Sequence, residues 1–230
     1  MKVVLFDIDG TLLWTDGAGK RAVHRALDEV FGPTARIDHE FDGKTDPQIV
    51  RELMTLGGID DATVDAKLDA ALERYVELLY EELGTADHLG KTYPGIARLL
   101  DALEERDDVL LGLLTGNVHA GALAKLDAVG LSRARFKIGA FGSDHASRPE
   151  LPGIARKRAE SLLGHPVAGD DVVVIGDTPS DMNCGKGIGA RAIGVATGRY
   201  SVETLQACEA GTVFADLSDT AAVMQEILGA

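Results

Sequence analysis

Apolar residues in this chain gather in short unbroken runs separated by stretches of helical periodicity. The runs lie at residues 3–6, 109–114, 172–175 and 192–195, with a weaker one at 212–214. None shows the polar alternation of a strand with one wet face, so each predicts a parallel strand buried on both sides. Helix-like patterns occupy 95–105, 118–129 and 151–163, and a last helix is expected at about 219–228. Strands alternating with helices predict an α/β fold, a Rossmann-like doubly wound parallel sheet with right-handed crossovers.

Residues 15–89 break this alternation. Helical segments are predicted at 20–31, 47–56 and 63–83, with no run that reads as a strand. An all-helical block between the first and second strands predicts an inserted α-helical cap, with the α/β core made of 1–14 and 90–230. The second junction is expected near Tyr93-Pro94-Gly95, a turn signal directly before helix-like sequence, and Trp14 is expected to pack at the hinge.

Composition narrows the function. The 230 residues, 45% apolar and 26% charged, suit one large domain or one domain carrying an insertion. A formal net charge of −14 argues against sequence-independent binding to nucleic acid or an anionic membrane. It leaves a phosphorylated substrate open, because a bound divalent cation reverses the local field. Cys184 and Cys208 have neither zinc-type spacing nor a Cys-x-x-Cys pattern, and both read as buried structural thiols. The chain enters its first strand after Met-Lys without a signal-peptide pattern, and its apolar runs fall far short of a bilayer span. A cytoplasmic, reduced protein is expected. The sequence leaves the oligomeric state open.

Three strand ends carry polar clusters: Asp7-Ile8-Asp9-Gly10-Thr11, Thr115-Gly116-Asn117, and Gly176-Asp177-Thr178-Pro179-Ser180-Asp181. An Asp-Gly turn alone would account for Asp9 and Gly10 but not for Asp7. On a strand, residues i and i+2 point the same way, so Asp7 and Asp9 can face one ligand. Two carboxylates at the edge of an apolar core call for a cation or a protonated partner.

The DxDGT, T-G-N and G-D-x-x-x-D motifs, in that order, resemble those of the haloacid dehalogenase superfamily. The likeness is to its phosphatase branch with a small helical cap, the phosphoglycolate phosphatase and β-phosphoglucomutase-like group. It implies a Mg²⁺-dependent phosphatase acting on a small phosphorylated metabolite, a phosphoglycolate-like ester or a sugar phosphate. Asp7 is the implied nucleophile, and as a carboxylate it is ionised at neutral pH without a base. Asp9 is the implied general acid and base. Asp7 and Asp177, the Asp9 main-chain carbonyl and, nearby, Asp181 are the implied surroundings of the metal. Thr115 is expected to hold a phosphate oxygen, with backbone donors from Gly116, Asn117, Gly10 and Thr11.

The chain departs from the pattern at the phosphate-site cation. Family members place a Lys, often before Pro, where this sequence reads Ser147-Arg148-Pro149. Arg148 is the favoured substitute and Lys157 its rival. In the helical block, Lys44 within Gly43-Lys44-Thr45-Asp46-Pro47 is a candidate substrate contact; an ordinary helix-entry loop is the other reading. The histidines at 24, 39, 88, 119, 145 and 165 show no ligand spacing, and His119 and His145 are the two that could approach the site mouth. A phosphomutase using the same Asp pair and a silent binding protein on the same fold are the competing functions.

Overall fold

The structure, a computed structural model, describes residues 1–33, 39–85, 89–208 and 211–229. In chain order the elements are β1 (Lys2–Phe6), β2 (Leu13–Trp14), α1 (Ala18–Phe31), α2 (Asp46–Leu56), α3 (Asp61–Leu83), β3 (Lys91–Thr92), α4 (Ile96–Glu104), β4 (Val109–Leu114), α5 (His119–Ala128) and β5 (Ile138–Ala140). There follow α6 (Leu151–Leu163), β6 (Val172–Gly176), α7 (Pro179–Cys184), β7 (Arg191–Val195), α8 (Val202–Gln206), β8 (Gly211–Phe214) and α9 (Thr220–Leu228).

Six strands form one parallel sheet in the order β5-β4-β1-β6-β7-β8. Successive residues of β1 point to opposite faces and pack into separate cores. Val4 and Phe6 join α4, α5 and α9, while Val3 and Leu5 join α6. The sheet is therefore doubly wound, which explains why its strands read as unbroken apolar runs. The expected strands and flanking helices are present. Strand β5 was not expected, because three residues including a glycine give too little pattern to detect.

The chain builds β4 and β5 on one side of β1, then returns to lay β6 on the other. This reversal opens a crevice beyond the carboxyl ends of β1, β4 and β6, the usual ligand position in such sheets. Asp7, Thr115 and Asp177 are the residues that directly follow those three strands.

Helices α1, α2 and α3 bury a core of their own, including Leu27, Leu53, Met54, Tyr75 and Leu78, and close it against Val118 and Ala124 beside and within α5. The chain leaves and re-enters the sheet region through a short antiparallel ribbon, with Leu13 opposite Thr92 and Trp14 opposite Lys91. The Lys91 ammonium lies 5.6 Å from the centre of the half-exposed Trp14 ring. Cys184 is buried, as expected; Cys208 is only partly so, and the two are unpaired. Among the described residues, no helix is long and apolar enough to cross a membrane.

Candidate active site

The backbone N–H of Asp7 donates to the Ile175 carbonyl (2.9 Å), which fixes the start of the DxDGT loop against β6. Gly10 follows with φ +82°, and a side chain there would strike the Asp177 carboxylate 2.2 Å away. Only glycine permits that approach. The Thr11 hydroxyl donates to Asp177 Oδ1 (2.9 Å), tying two strand ends that lie 166 residues apart in sequence.

Asp7, Asp177 and Asp181 are all buried and bring carboxylate oxygens to within 4.8 Å of one another. Arg148 is buried beside them. Its Nη2 hydrogen-bonds Asp181 Oδ1 and sits 3.3 Å from Asp7 Oδ1. Asp181 Oδ2 accepts from the Thr178 hydroxyl (2.7 Å) and N–H (3.0 Å), which closes the capping box of α7. Both Asp181 oxygens thus have protein donors. Asp7 Oδ1 has none, because the nearby guanidinium lacks hydrogen-bonding geometry toward it.

Burial pushes the Asp7 carboxyl up to about 6 despite the pull of Arg148, and the charges on Asp181 and Asp9 act in the same direction as burial. Burial, with Asp181 and Asp7 adding to it, holds Asp177 well above the usual carboxylate range. Three buried acids share one guanidinium, so the cluster lacks positive charge. An all-oxygen donor set with an orphaned oxygen and surplus negative charge fits a hard divalent cation such as Mg²⁺.

Thr115 is fully buried after β4, its N–H donating to the Ala140 carbonyl (3.0 Å). Its hydroxyl oxygen accepts from the Asn117 side-chain amide (2.8 Å), which leaves the hydroxyl proton for a ligand. Asn117 enters the site differently from expectation. Its N–H is directed at Thr115 Oγ1 (3.3 Å), and its amide donates to Asp9 Oδ2 (2.8 Å). Gly116 lies hard against the helical block; a Cβ there would fall 1.9 Å from the Lys44 carbonyl oxygen.

Lys44 lines the crevice, but its ammonium is held by Glu52 (2.6 Å) beside His39 (3.0 Å). Thr45 caps α2 by accepting from the Gln48 N–H, while its hydroxyl donates to the Ala146 carbonyl (2.6 Å). Lys157 is exposed on α6 and absent from the crevice lining, so Arg148 is the cation that the fold delivers. His119 packs edge-on against Phe141, and His145 lies beside Ser147; neither lines the crevice. His88 lies outside the described residues.

Three features escaped the sequence reading. Lys125 on α5 is buried and reaches both Asp9 Oδ2 and Asn117 Oδ1 at 2.6 Å. It stands two helical turns beyond Asn117, and that spacing was the available signal. Asp46, at the start of α2, accepts from the Val118 N–H (2.7 Å) at the start of α5. Its burial pushes the carboxyl up to about 6, opposed by Lys125 and the Val118 hydrogen bond. The Thr197-Gly198 loop closes the rim: Thr197 donates to the Gly10 carbonyl (2.5 Å), and a Cβ on Gly198 would meet Asp177 at 1.8 Å.

Asp7, Asp9, Thr115, Lys125, Arg148 and Asp177 are among the residues that line a cavity of about 740 Å³ between the carboxyl edge of the sheet and the helical block. A volume of that size suits a small metabolite.

Comparison with known proteins agrees with this geometry. The family model for haloacid dehalogenase-like hydrolases matches residues 1–189. A phosphoglycolate phosphatase from Pseudomonas putida is 28% identical over 221 residues, covering 94% of this chain and 77% of its own. A second, from Rhodospirillum rubrum, is 28% identical over 227 residues, covering 94% and 88%. The crystal structure of a hydrolase from Pseudomonas syringae superimposes with a TM-score of 0.70 at 25% identity, covering 99% of each chain.

Proposed function

The chain belongs to the haloacid dehalogenase-like hydrolases, and from that premise we propose that it is a Mg²⁺-dependent phosphatase that cleaves a small phosphomonoester through an aspartyl-phosphate on Asp7. Phosphoglycolate, which the names of its relatives carry, or a sugar phosphate is the substrate class. The observation that carries this reading is the orphaned Asp7 oxygen, 3.3 Å from Arg148, on an acid clustered with Asp177 and Asp181 at a cavity that Asp9 and Thr115 also line.

Asp7 attacks phosphorus and the bond to the leaving oxygen breaks. Asp9 donates its proton to that oxygen, then removes one from the water that opens the acyl-phosphate, restoring both residues and releasing phosphate. Arg148 and the Thr115 hydroxyl hold phosphoryl oxygens in line, and Gly10, Thr11 and Gly116 shape the backbone around them. Asp7, Asp177 and the Asp9 main-chain carbonyl, with Asp181 close by, would hold Mg²⁺, which would supply positive charge where negative charge accumulates on the phosphoryl group.

Residues 15–89 act as the cap in this reading. They roof the cavity, exclude bulk water and limit the size of the ester, with Lys44 on the substrate-facing loop. A cytoplasmic metabolite pool is the expected source of substrate. The test is a panel of phosphorylated metabolites scored for released phosphate with and without Mg²⁺. Release confined to a few small esters, and only with metal, is expected. Isomerised sugar phosphate without free phosphate would replace hydrolysis by mutase chemistry, and no turnover of any ester by folded, metal-loaded protein would remove the enzyme reading.

A further inference from the structure

Lys125 is a buried cation that the mechanism above leaves without a role. Its side chain is 6% exposed, and it lies 116 residues from the acid it touches. The ammonium is committed on two sides, to Asp9 Oδ2 and to Asn117 Oδ1, each at 2.6 Å. On its third side stands the helical block. A Cβ built on Gly19 of α1 would lie 3.2 Å from Nζ and 3.8 Å from the Tyr75 hydroxyl of α3. Gly19 therefore provides the space that the ammonium fills, and α1 and α3 leave the Lys125 side chain only 6% exposed at the cavity wall.

The hydrogen bonds form a closed triangle. Lys125 donates to Asp9 and to the Asn117 carbonyl oxygen; the Asn117 amide nitrogen donates to Asp9 and to Thr115. An ammonium is donor-only, so it fixes which end of the Asn117 amide faces Asp9. Both donors converge on Oδ2 of Asp9. An oxygen that accepts from an ammonium and an amide together is the poor site for a proton, which leaves Oδ1 to carry it.

We propose that Lys125 is a positioning residue for proton transfer: with Asn117 it pins Oδ2 of Asp9, so that Oδ1 is the oxygen that passes a proton to the leaving group and takes one from water. This rests on the reading of Asp9 as the acid and base. Two of the three N–H donors of Lys125 are held by Asp9 and Asn117 and the α1 backbone at Gly19 crowds the ammonium, so it acts through Asp9.

Leaving-group dependence tests the idea, because a nitrophenolate departs with little help from an acid whereas an alkoxide needs one. Lys125→Met keeps the length of the stem and removes the charge. Its kcat is expected to fall about a hundredfold on an alkyl phosphate that the enzyme turns over and less than about tenfold on p-nitrophenyl phosphate, with KM changed little. Asp9→Asn, measured in parallel, is expected to show the same selectivity more strongly. Gly19→Ala leaves the catalytic groups in place and crowds Nζ from above. It should show the same selectivity at about threefold, and it carries the test if Lys125→Met does not fold by circular dichroism.

Equal losses on both esters in Lys125→Met and Gly19→Ala, with the selectivity intact in Asp9→Asn, overturn the positioning role and leave the phosphatase reading standing. Loss of selectivity in Asp9→Asn itself overturns both. A raised KM with unchanged kcat in Lys125→Met would make the ammonium a substrate ligand instead.

Discussion

Arg148 Nη2 stands 3.3 Å from Asp7 Oδ1 while hydrogen-bonding Asp181, so one guanidinium serves a buried triad of carboxylates. Its removal should cost far more than one charge, since the acids it offsets stay buried. Arg148→Ala is expected to lower kcat/KM by about a hundredfold or more. Lys157→Ala, in an exposed side chain of α6, should stay within about twofold. Steady-state kinetics on the best ester of the panel rank the two, and the reverse order would show that the cation was misassigned.

Asp7→Asn preserves size and removes the nucleophile, so turnover should drop at least about a thousandfold. The same change relieves the burial that pushes the carboxyl to about 6. Metal-free Asp7→Asn should accordingly be more stable than the wild type at pH 7, by up to about 3 kcal/mol. Phosphate release and urea unfolding in chelator measure the two effects. A variant that is both active and no more stable would contradict the assignment.

Mg²⁺ should raise the thermal midpoint of the wild-type protein, because it binds the acidic cluster in the folded state only. At a hundredfold excess over its dissociation constant the gain is about 2.7 kcal/mol. Asp177→Asn should lose most of this gain, having lost one of the three converging carboxylates. Differential scanning with and without Mg²⁺ reads the difference. An equal gain in both proteins would place the metal elsewhere.

Asp46 makes a prediction about pH. Burial raises its carboxyl to about 6 in the fold, so the folded state binds more protons than the unfolded state between about 4 and 6. The cost of the buried charge is absent below the unfolded value of 3.8, grows as pH rises and is complete above 6. A rise of about two in pKa corresponds to about 3 kcal/mol. Asp46→Asn keeps an acceptor for the Val118 N–H but cannot ionise. Its stability relative to wild type should therefore improve by up to about 3 kcal/mol between pH 4 and pH 7. Chemical denaturation at the two pH values gives that difference, and a change of the opposite sign would refute the raised carboxyl.

Much of this was legible in the chain. The strands declared themselves because a sheet covered on both faces needs apolar residues at consecutive positions, and β1, β4 and β6 have them. Asp7, Thr115 and Asp177 stood out because three polar clusters, in this order, each close a separate apolar run, which turn punctuation alone does not explain. Arg148 was found through the proline beside it. Lys125 and Asp46 were not found, since a charged residue on a helix looks the same in sequence whether its face meets water or another helix. The antiparallel pair β2 and β3, two residues each, was too short to show a period.

The sequence by itself determined the long sheet strands and the main helices between them, the glycine of the DxDGT loop, and the acids at the strand ends. These depend on local periodicity and turn chemistry, which neighbouring residues encode. Tertiary structure alone decided that Arg148 reaches Asp181, that the T-G-N asparagine turns its side chain to Asp9, and that Lys125 is buried beneath α1. Each of those outcomes is a contact between segments tens to more than a hundred residues apart, or the burial that such a contact brings. Only packing the helical block against α5 and the sheet edge settles which side chains lose their water and must find one another.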